Sequence, residues 1–296
     1  MRRFRRRQFV PTPAPSAPVS EAEKTSQHES WGAFIDHVAN APCDLASRQS
    51  RTLSAAFTRS ESFDAAANLA INGWAEGTDK AAAIAFALVD KISNQLQRDD
   101  YRYETTGIMF DVARVLENEP ECWIQYEPVL VDAPGKVLRL VFNICASAGI
   151  SPDTIIAKGA VVAALVILLE RAGFRIAVEI VNAIRGSIEH EMWVPVKSAD
   201  QDLDLPRLVF ALAHPSMLRR IWVAHQETLS PNVRAAVCIP GGGGTPIECK
   251  PENRGDIYIG RSMLGEPQWT DTQSTTRWVV SELKKQGVQI QENEEN

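Results

Sequence analysis

Residues 137–149 read VLRLVFNICASAG. From Val137 to Phe142 the run is apolar and β-branched apart from Arg139, the composition of a strand buried in a sheet. Small polar residues then fall at every second position: Asn143, Cys145 and Ser147. Ser151 and Pro152 follow, a cap and a first-turn proline that open a helix. A strand running into a polar turn just before a helix amino terminus places ligand-capable groups at the carboxyl edge of an α/β sheet, where such sheets bind ligands. Helix N–H groups there favour an anion. Hydroxyls and carboxylates would instead suit a hard cation such as Mg²⁺.

Outward from this turn the pattern alternates. SPDTIIAKGAVVAALVILLERAG, residues 151–173, reads as a helix stopped at Gly173, and FRIAVEIVNAI, 174–184, as a second strand. IRGSIEHE suggests a hairpin connection and HEMWVPVKS a third, antiparallel strand. LPRLVFALAHPSMLRRIWVAHQE is helical, with a kink or break at Pro215. VRAAVCIP and GDIYIG are short strand candidates. TQSTTRWVVSELKKQG is an amphipathic helix ended by Gly287, and VQIQ a last edge strand. Strands alternating with helices predict a Rossmann-like α/β fold: a mostly parallel sheet with one antiparallel strand and helices on both faces.

Before this half the reading is helical. WGAFIDHVANA opens the region at Trp31. Ser62 caps a helix that Gly73 stops. DKAAAIAFALVDKISNQLQ is Ala-rich and helical, and GIMFDVARVLENEPECWI, 107–124, puts Val112, Val115 and Leu116 on one helical face. Trp74 between two glycines reads as a packing anchor. The boundaries are then a basic, Pro-rich tail over 1–29, a helical region over 30–130, an α/β domain over 131–292 and an acidic tail over 293–296.

Composition bounds the function. The 296 residues are 45% hydrophobic and 23% charged with a net charge of −6, the balance of a globular protein that needs no staples. Such a charge argues against wholesale nucleic-acid binding, which needs clustered Lys and Arg. The exception is local: MRRFRRR makes Arg2–Arg7 a basic arm that could touch nucleic acid or an acidic partner, or simply solubilise. The five cysteines are scattered with no Cys-x-x-Cys pair, which fits reduced thiols in the cytoplasm. No apolar stretch follows the amino-terminal arginines as a signal peptide requires, and the apolar run 160–169 fits a buried helix better than a membrane span.

Other features have plain readings beside sharper ones. The glycine run of PGGGGTP, 240–246, could cradle phosphate, but lacks the Lys-Ser/Thr of a phosphate-binding loop and reads as a connection between strands. His214 and His225 stand about three helical turns apart, too far to share one metal. Cys145 near a helix amino terminus could be a nucleophile, although a small buried thiol is the simpler reading.

The segment LVFNICASAGISPDTIIAKGAVVAALVILLERAGFRIAVEIV resembles the first strand, first helix and second strand of a von Willebrand factor A domain. Residues 135 to about 292 share that pattern. The family carries Asp-x-Ser-x-Ser at the end of its first strand as the core of a metal-ion-dependent adhesion site, matched here by Asn143, Cys145 and Ser147. More loosely, Gly73–Trp74, NEPECW and AHPSMLRR resemble A-domain-like proteins of tailed phages. The resemblance implies a degenerate metal site of Asn143, Ser147 and Asp200, with Cys145, Ser151 and Ser198 on the same rim. Asn143 offers only a neutral oxygen and Cys145 a soft sulfur, which suit Mg²⁺ poorly, and GDIYIG does not end in the expected acid. No cofactor is therefore expected, with Mg²⁺ as the alternative, and no catalytic residue. The implied function is a noncatalytic interaction or assembly factor in the cytoplasm (the host's, if phage-encoded), with a protein partner such as a MoxR-type AAA+ ATPase. A metal-dependent hydrolase at the strand-end rim is the alternative, and a nucleic-acid accessory using the basic arm a third.

Overall fold

The computed structural model describes residues 19–96, 101–104, 109–110, 114, 119–121, 123–126, 135–238 and 243–288. Its strands are β1 (Thr25–Gln27), β2 (Tyr101–Glu104), β3 (Met109–Phe110), β4 (Trp123–Tyr126), β5 (Val137–Asn143), β6 (Arg175–Arg185), β7 (Glu189–Lys197), β8 (Thr245–Pro246) and β9 (Ile257–Ile259). The α-helices are α1 (Trp31–Asn40), α2 (Gln49–Thr52), α3 (Ala55–Thr58), α4 (Phe63–Asn72), α5 (Ala75–Leu96), α6 (Pro152–Arg171), α7 (Leu205–Ala213), α8 (Trp222–Thr228), α9 (Pro231–Val237) and α10 (Thr272–Lys285). A π-helical turn, Met217–Ile221, leads into α8.

The main sheet runs β1-β7-β6-β5-β9. β5 is parallel to both β6 and β9, β7 is antiparallel to β6, and β1 is parallel to β7. The mostly parallel sheet with an antiparallel strand after the second crossover strand is therefore present, as its sequence pattern predicts. Where β5 leaves the sheet after Asn143, β8 takes over its lane, pairing Pro246 with Ile184 and Thr245 with Arg185.

Leu138, Leu140 and Phe142 of β5 point to one face and join Ile176, Val178 and Ile180 of β6 in the main core. Val141, Val181, Ala183 and Trp193 point to the other, where Ile247, Cys249 and Tyr258 cover them. This departs from the expected two helical layers: among the described residues, the helices pack into the first face. The alternation of β5 supplied two apolar faces, but an extended segment after β8 covers the second.

α6 carries the centre of the core. Its residues from Lys158 to Leu169 are all buried, so it is apolar nearly all round, as a helix enclosed by neighbours must be. By length and composition it could also cross a membrane, yet here it lies between the sheet and other helices. Ser151 caps it, accepting from Thr154 N–H at 3.1 Å. Gly159 lets α7 approach: a Cβ there would stand 2.3 Å from Leu212 O and Ala213 Cα.

The helical amino-terminal region is not a separate layer. Trp31, Phe34, Phe63 and Trp74 are buried in the same core as the sheet residues. Trp74 meets His214 edge-on at 4.6 Å, confirming a packing anchor. Gly73, at φ +86°, ends α4 with no room for a side chain, because a Cβ would lie 2.4 Å from Pro206 Cβ.

Three further expectations change. Thr25–Gln27, read as tail, pairs with β7. VRAAVCIP is mostly helix α9: Ser230 caps it, Pro231 starts it, and Val233, Ala236 and Val237 bury one face. Within 107–124, read as helical, Met109–Phe110 and Trp123–Tyr126 are strands of a small antiparallel sheet with Tyr101–Glu104, where pairing overrides local propensity. The VQIQ strand lies largely outside the described residues, as do Arg2–Arg7 and the acidic tail.

Candidate functional site

The strand-end turn is closed from above. Asn143 is fully buried. Its Nδ2 donates to the Ile247 carbonyl at 2.8 Å and to the Tyr258 hydroxyl at 3.2 Å. Its Oδ1 accepts the Cys145 N–H at 3.1 Å. Both ends of the amide thus hold the turn and the segment after β8 in place, so Asn143 has a structural role. Cys145 is buried, with its sulfur 3.2 Å from the Ala183 carbonyl. Burial raises its thiol pKa, the reverse of what a nucleophile needs.

Tyr258 extends this plug. Its hydroxyl donates to Glu248 at 2.6 Å, and burial raises its pKa. On the other side of the turn Lys158 reaches from α6 to the carbonyl of Gly260, at the end of β9. Burial lowers the Lys158 pKa to about 8, and the rings of Phe142 and Trp269 lie 5.6 and 5.3 Å from its Nζ. An ammonium group therefore stands beside the strand end, where an A-domain pattern would carry an acid.

The expected metal set does not come together. Ser147 is exposed on the rim. Asp200 belongs to the opposite end of the sheet: β7 runs antiparallel, so its end at Lys197 lies beside Val178, near the start of β6. There Asp200 accepts from the Ser198 hydroxyl at 2.6 Å, which holds its carboxyl below the usual range. Ser198 shares that distant location, and Ser151 is engaged as a helix cap. With Asn143 enclosed, Cys145 buried and Asp200 remote, these residues do not fit a hard divalent cation.

A crevice of about 510 Å³ does open at this edge, between the Cys145–Ala148 turn, α2–α3 and the π-helical turn. Arg219 lines it while 4% exposed. Its guanidinium donates to Phe57 O at 2.7 Å and to Ile150 O, and lies 3.8 Å from the centroid of the Phe57 ring. Among the described residues no carboxylate pairs with it, and burial lowers its pKa to about 10. Asn182 lines the same crevice with its Oδ1 buried and lacking a hydrogen-bond partner. Just outside, Ser262 N–H donates to Cys145 O at 2.8 Å, and the next two residues, Met263 and Leu264, are exposed apolar side chains.

The sequence points to the turn, and Arg219 with Arg220 reads there as able to pair with acids or bind a partner, a solvated face being the default; both are instead buried. Asn182 and Lys158 sit in an alternating and an apolar run that read as core, and only the neighbouring elements show what their polar ends meet. The Gly243–Gly244 backbone does border the crevice.

The profile of a domain of unknown function, DUF7192, matches residues 17–290, so the chain belongs to that family. No curated protein and no solved structure matches it.

Proposed function

We propose that this chain is a noncatalytic interaction or assembly factor on an A-domain-like scaffold, acting in the cytoplasm and docking a protein partner at the strand-end rim. The strand sequence β7-β6-β5-β9, with β7 antiparallel, is consistent with that scaffold. The observation that carries the docking reading is Arg219. It is a buried cation lining an open crevice, without a carboxylate partner among the described residues. A partner's Asp or Glu side chain entering the crevice would supply the counter-charge, and a charge pair formed away from bulk water is strengthened there. Asn182 offers a further hydrogen-bonding group, and exposed Met263 and Leu264 offer apolar contact beside the rim. A ring-forming ATPase of the MoxR type is the partner class in view.

The test is site-specific photo-crosslinking in the native host, with the photoreactive residue at exposed Ser147. One recurring protein adduct that disappears with Leu264→Asp supports the reading. A folded chain that yields no protein adduct overturns it.

A further inference from the structure

Four of the chain's five histidines gather where the amino-terminal segment meets β7 and α8, far from any motif in the sequence. The ring centroids of His28, His37 and His225 are 5.1, 4.9 and 5.3 Å apart around the triangle. Three imidazoles around one tetrahedral ion, each with Zn–N near 2.0–2.1 Å, have centroids roughly 5 Å apart.

Unmet hydrogen bonding points the same way. His28 Nε2 and both ring nitrogens of His225 are buried without a partner. A neutral imidazole always carries one N–H donor and one lone pair, and leaving such a group unmet in the interior costs roughly 1–3 kcal/mol. His37 is oriented from outside the triangle. The Thr228 hydroxyl donates to the His225 carbonyl at 2.8 Å, so its oxygen accepts from His37 Nε2–H at 2.9 Å. That assigns the His37 proton to Nε2 and its lone pair to Nδ1, the outer-shell arrangement by which metal-bound histidines are held. Burial lowers the pKa of His28 to about 4 and lowers those of His37 and His225, so all three are neutral and ligand-competent near pH 7.

As the rings stand, no three donor nitrogens converge as a metal site among the described residues. A half-turn about χ2 exchanges ring nitrogens with carbons without moving the centroid much, so ring rotation alone can bring the donors onto an ion at the centre.

We propose that His28, His37 and His225 bind one divalent transition-metal ion, Zn²⁺ being the best match, which clamps the amino-terminal segment onto α8. Imidazole suits Zn²⁺ and excludes the hard cations of an adhesion site. Half-buried His37 lies on the solvent side and leaves a route for the ion and a fourth ligand from solvent. His190, whose Nδ1 is also buried without a partner, is close enough to His225 to disfavour its protonation.

The experiment uses the full chain stripped with chelator and titrated with Co²⁺ and then Zn²⁺. One equivalent of Co²⁺ should give the visible absorption of a tetrahedral nitrogen-ligated site, Zn²⁺ should displace it, and the melting temperature should rise with either ion. His37→Ala, the variant least disturbing to the core, should weaken binding at least tenfold while its circular dichroism stays unchanged. His225→Asn should abolish binding, and the distant His214→Ala should leave it intact. A folded wild-type chain with no Co²⁺ absorption and no metal-dependent melting shift overturns the proposal. So does binding that keeps its affinity in folded His37→Ala.

Discussion

Asn143 Oδ1 accepts the Cys145 N–H at 3.1 Å, closing the turn that a metal would have to enter. The same amide donates to Ile247 O and to Tyr258 OH. Placing the carboxylate of the A-domain pattern at the strand end with Asn143→Asp should therefore not create a metal site. It would set a carboxylate oxygen against the Ile247 carbonyl and leave a buried acceptor unmet, a loss of at least about 1–3 kcal/mol. Urea unfolding should show that loss, and added Mg²⁺ should not recover it. Recovery by Mg²⁺ would mean that the plug after β8 opens readily.

Arg220 ties the amino-terminal region to the sheet domain. It is 1% exposed and donates to Thr58 Oγ1, Ser60 Oγ and the carbonyls of Ser50, Leu53 and Ser60, at 2.7–3.2 Å. Glu227 grips the same segment, accepting from Ser50 N–H at 2.8 Å and Ser50 Oγ at 2.6 Å. Arg220→Ala should destabilise by at least about 1–3 kcal/mol, the cost of leaving buried acceptors unmet. Arg220→Lys should rescue little, because an ammonium cannot reproduce the planar five-donor fork. Protease nicking between residues 41 and 62 should rise in both variants.

Gly159→Ala places a methyl 2.3 Å from the backbone of α7, which cannot yield as a flexible side chain would. A loss of about 1–3 kcal/mol is expected from such overpacking. Gly32→Ala on the exposed face of α1, with nothing within 4 Å of the added methyl, is the control and should stabilise by up to about 1 kcal/mol. Denaturation midpoints of the two variants should move in opposite directions.

The buried histidines set the acid limb of stability. Burial lowers His28, His190 and His214 to about 4, and His225 well below its ordinary 6.5. The unfolded chain protonates its histidines near 6.5, so it binds more protons than the fold between about 6.5 and 4. Stability is full above that window and falls as pH drops through it. Urea midpoints measured at pH 7.5, 5.5 and 4.5 should decline in that order, and a flat series would contradict the neutral, buried assignment.

Lys158 acts at the alkaline end. Its folded pKa near 8 lies below the unfolded 10.5, so stability should rise with pH between those values. Lys158→Met removes both the charge and that slope. Its effect at pH 7 should stay within about 1–2 kcal/mol, since relief of desolvation offsets the lost hydrogen bond to Gly260. Parallel unfolding curves at pH 7 and 9.5 would test this.

What the sequence determined by itself is local and periodic. The alternation from Val137 to Asn143, the Ser151–Pro152 start of α6, the Ser62 and Gly73 bounds of α4 and the strand–helix–strand rhythm all follow from side chains acting on their own backbone or on one buried face. Those signals sufficed for the fold class and for locating the strand end. Tertiary structure alone decided what the polar groups do, because a hydrogen bond or charge is set by a partner that sequence distance does not reveal. Asn143 is closed by residues 104 and 115 positions away, Arg220 reaches back 160 and more, and His28 meets His225 across the whole domain. Asp200 was lost to the proposed rim for the same reason: an antiparallel β7 carries its end to the far side of the sheet.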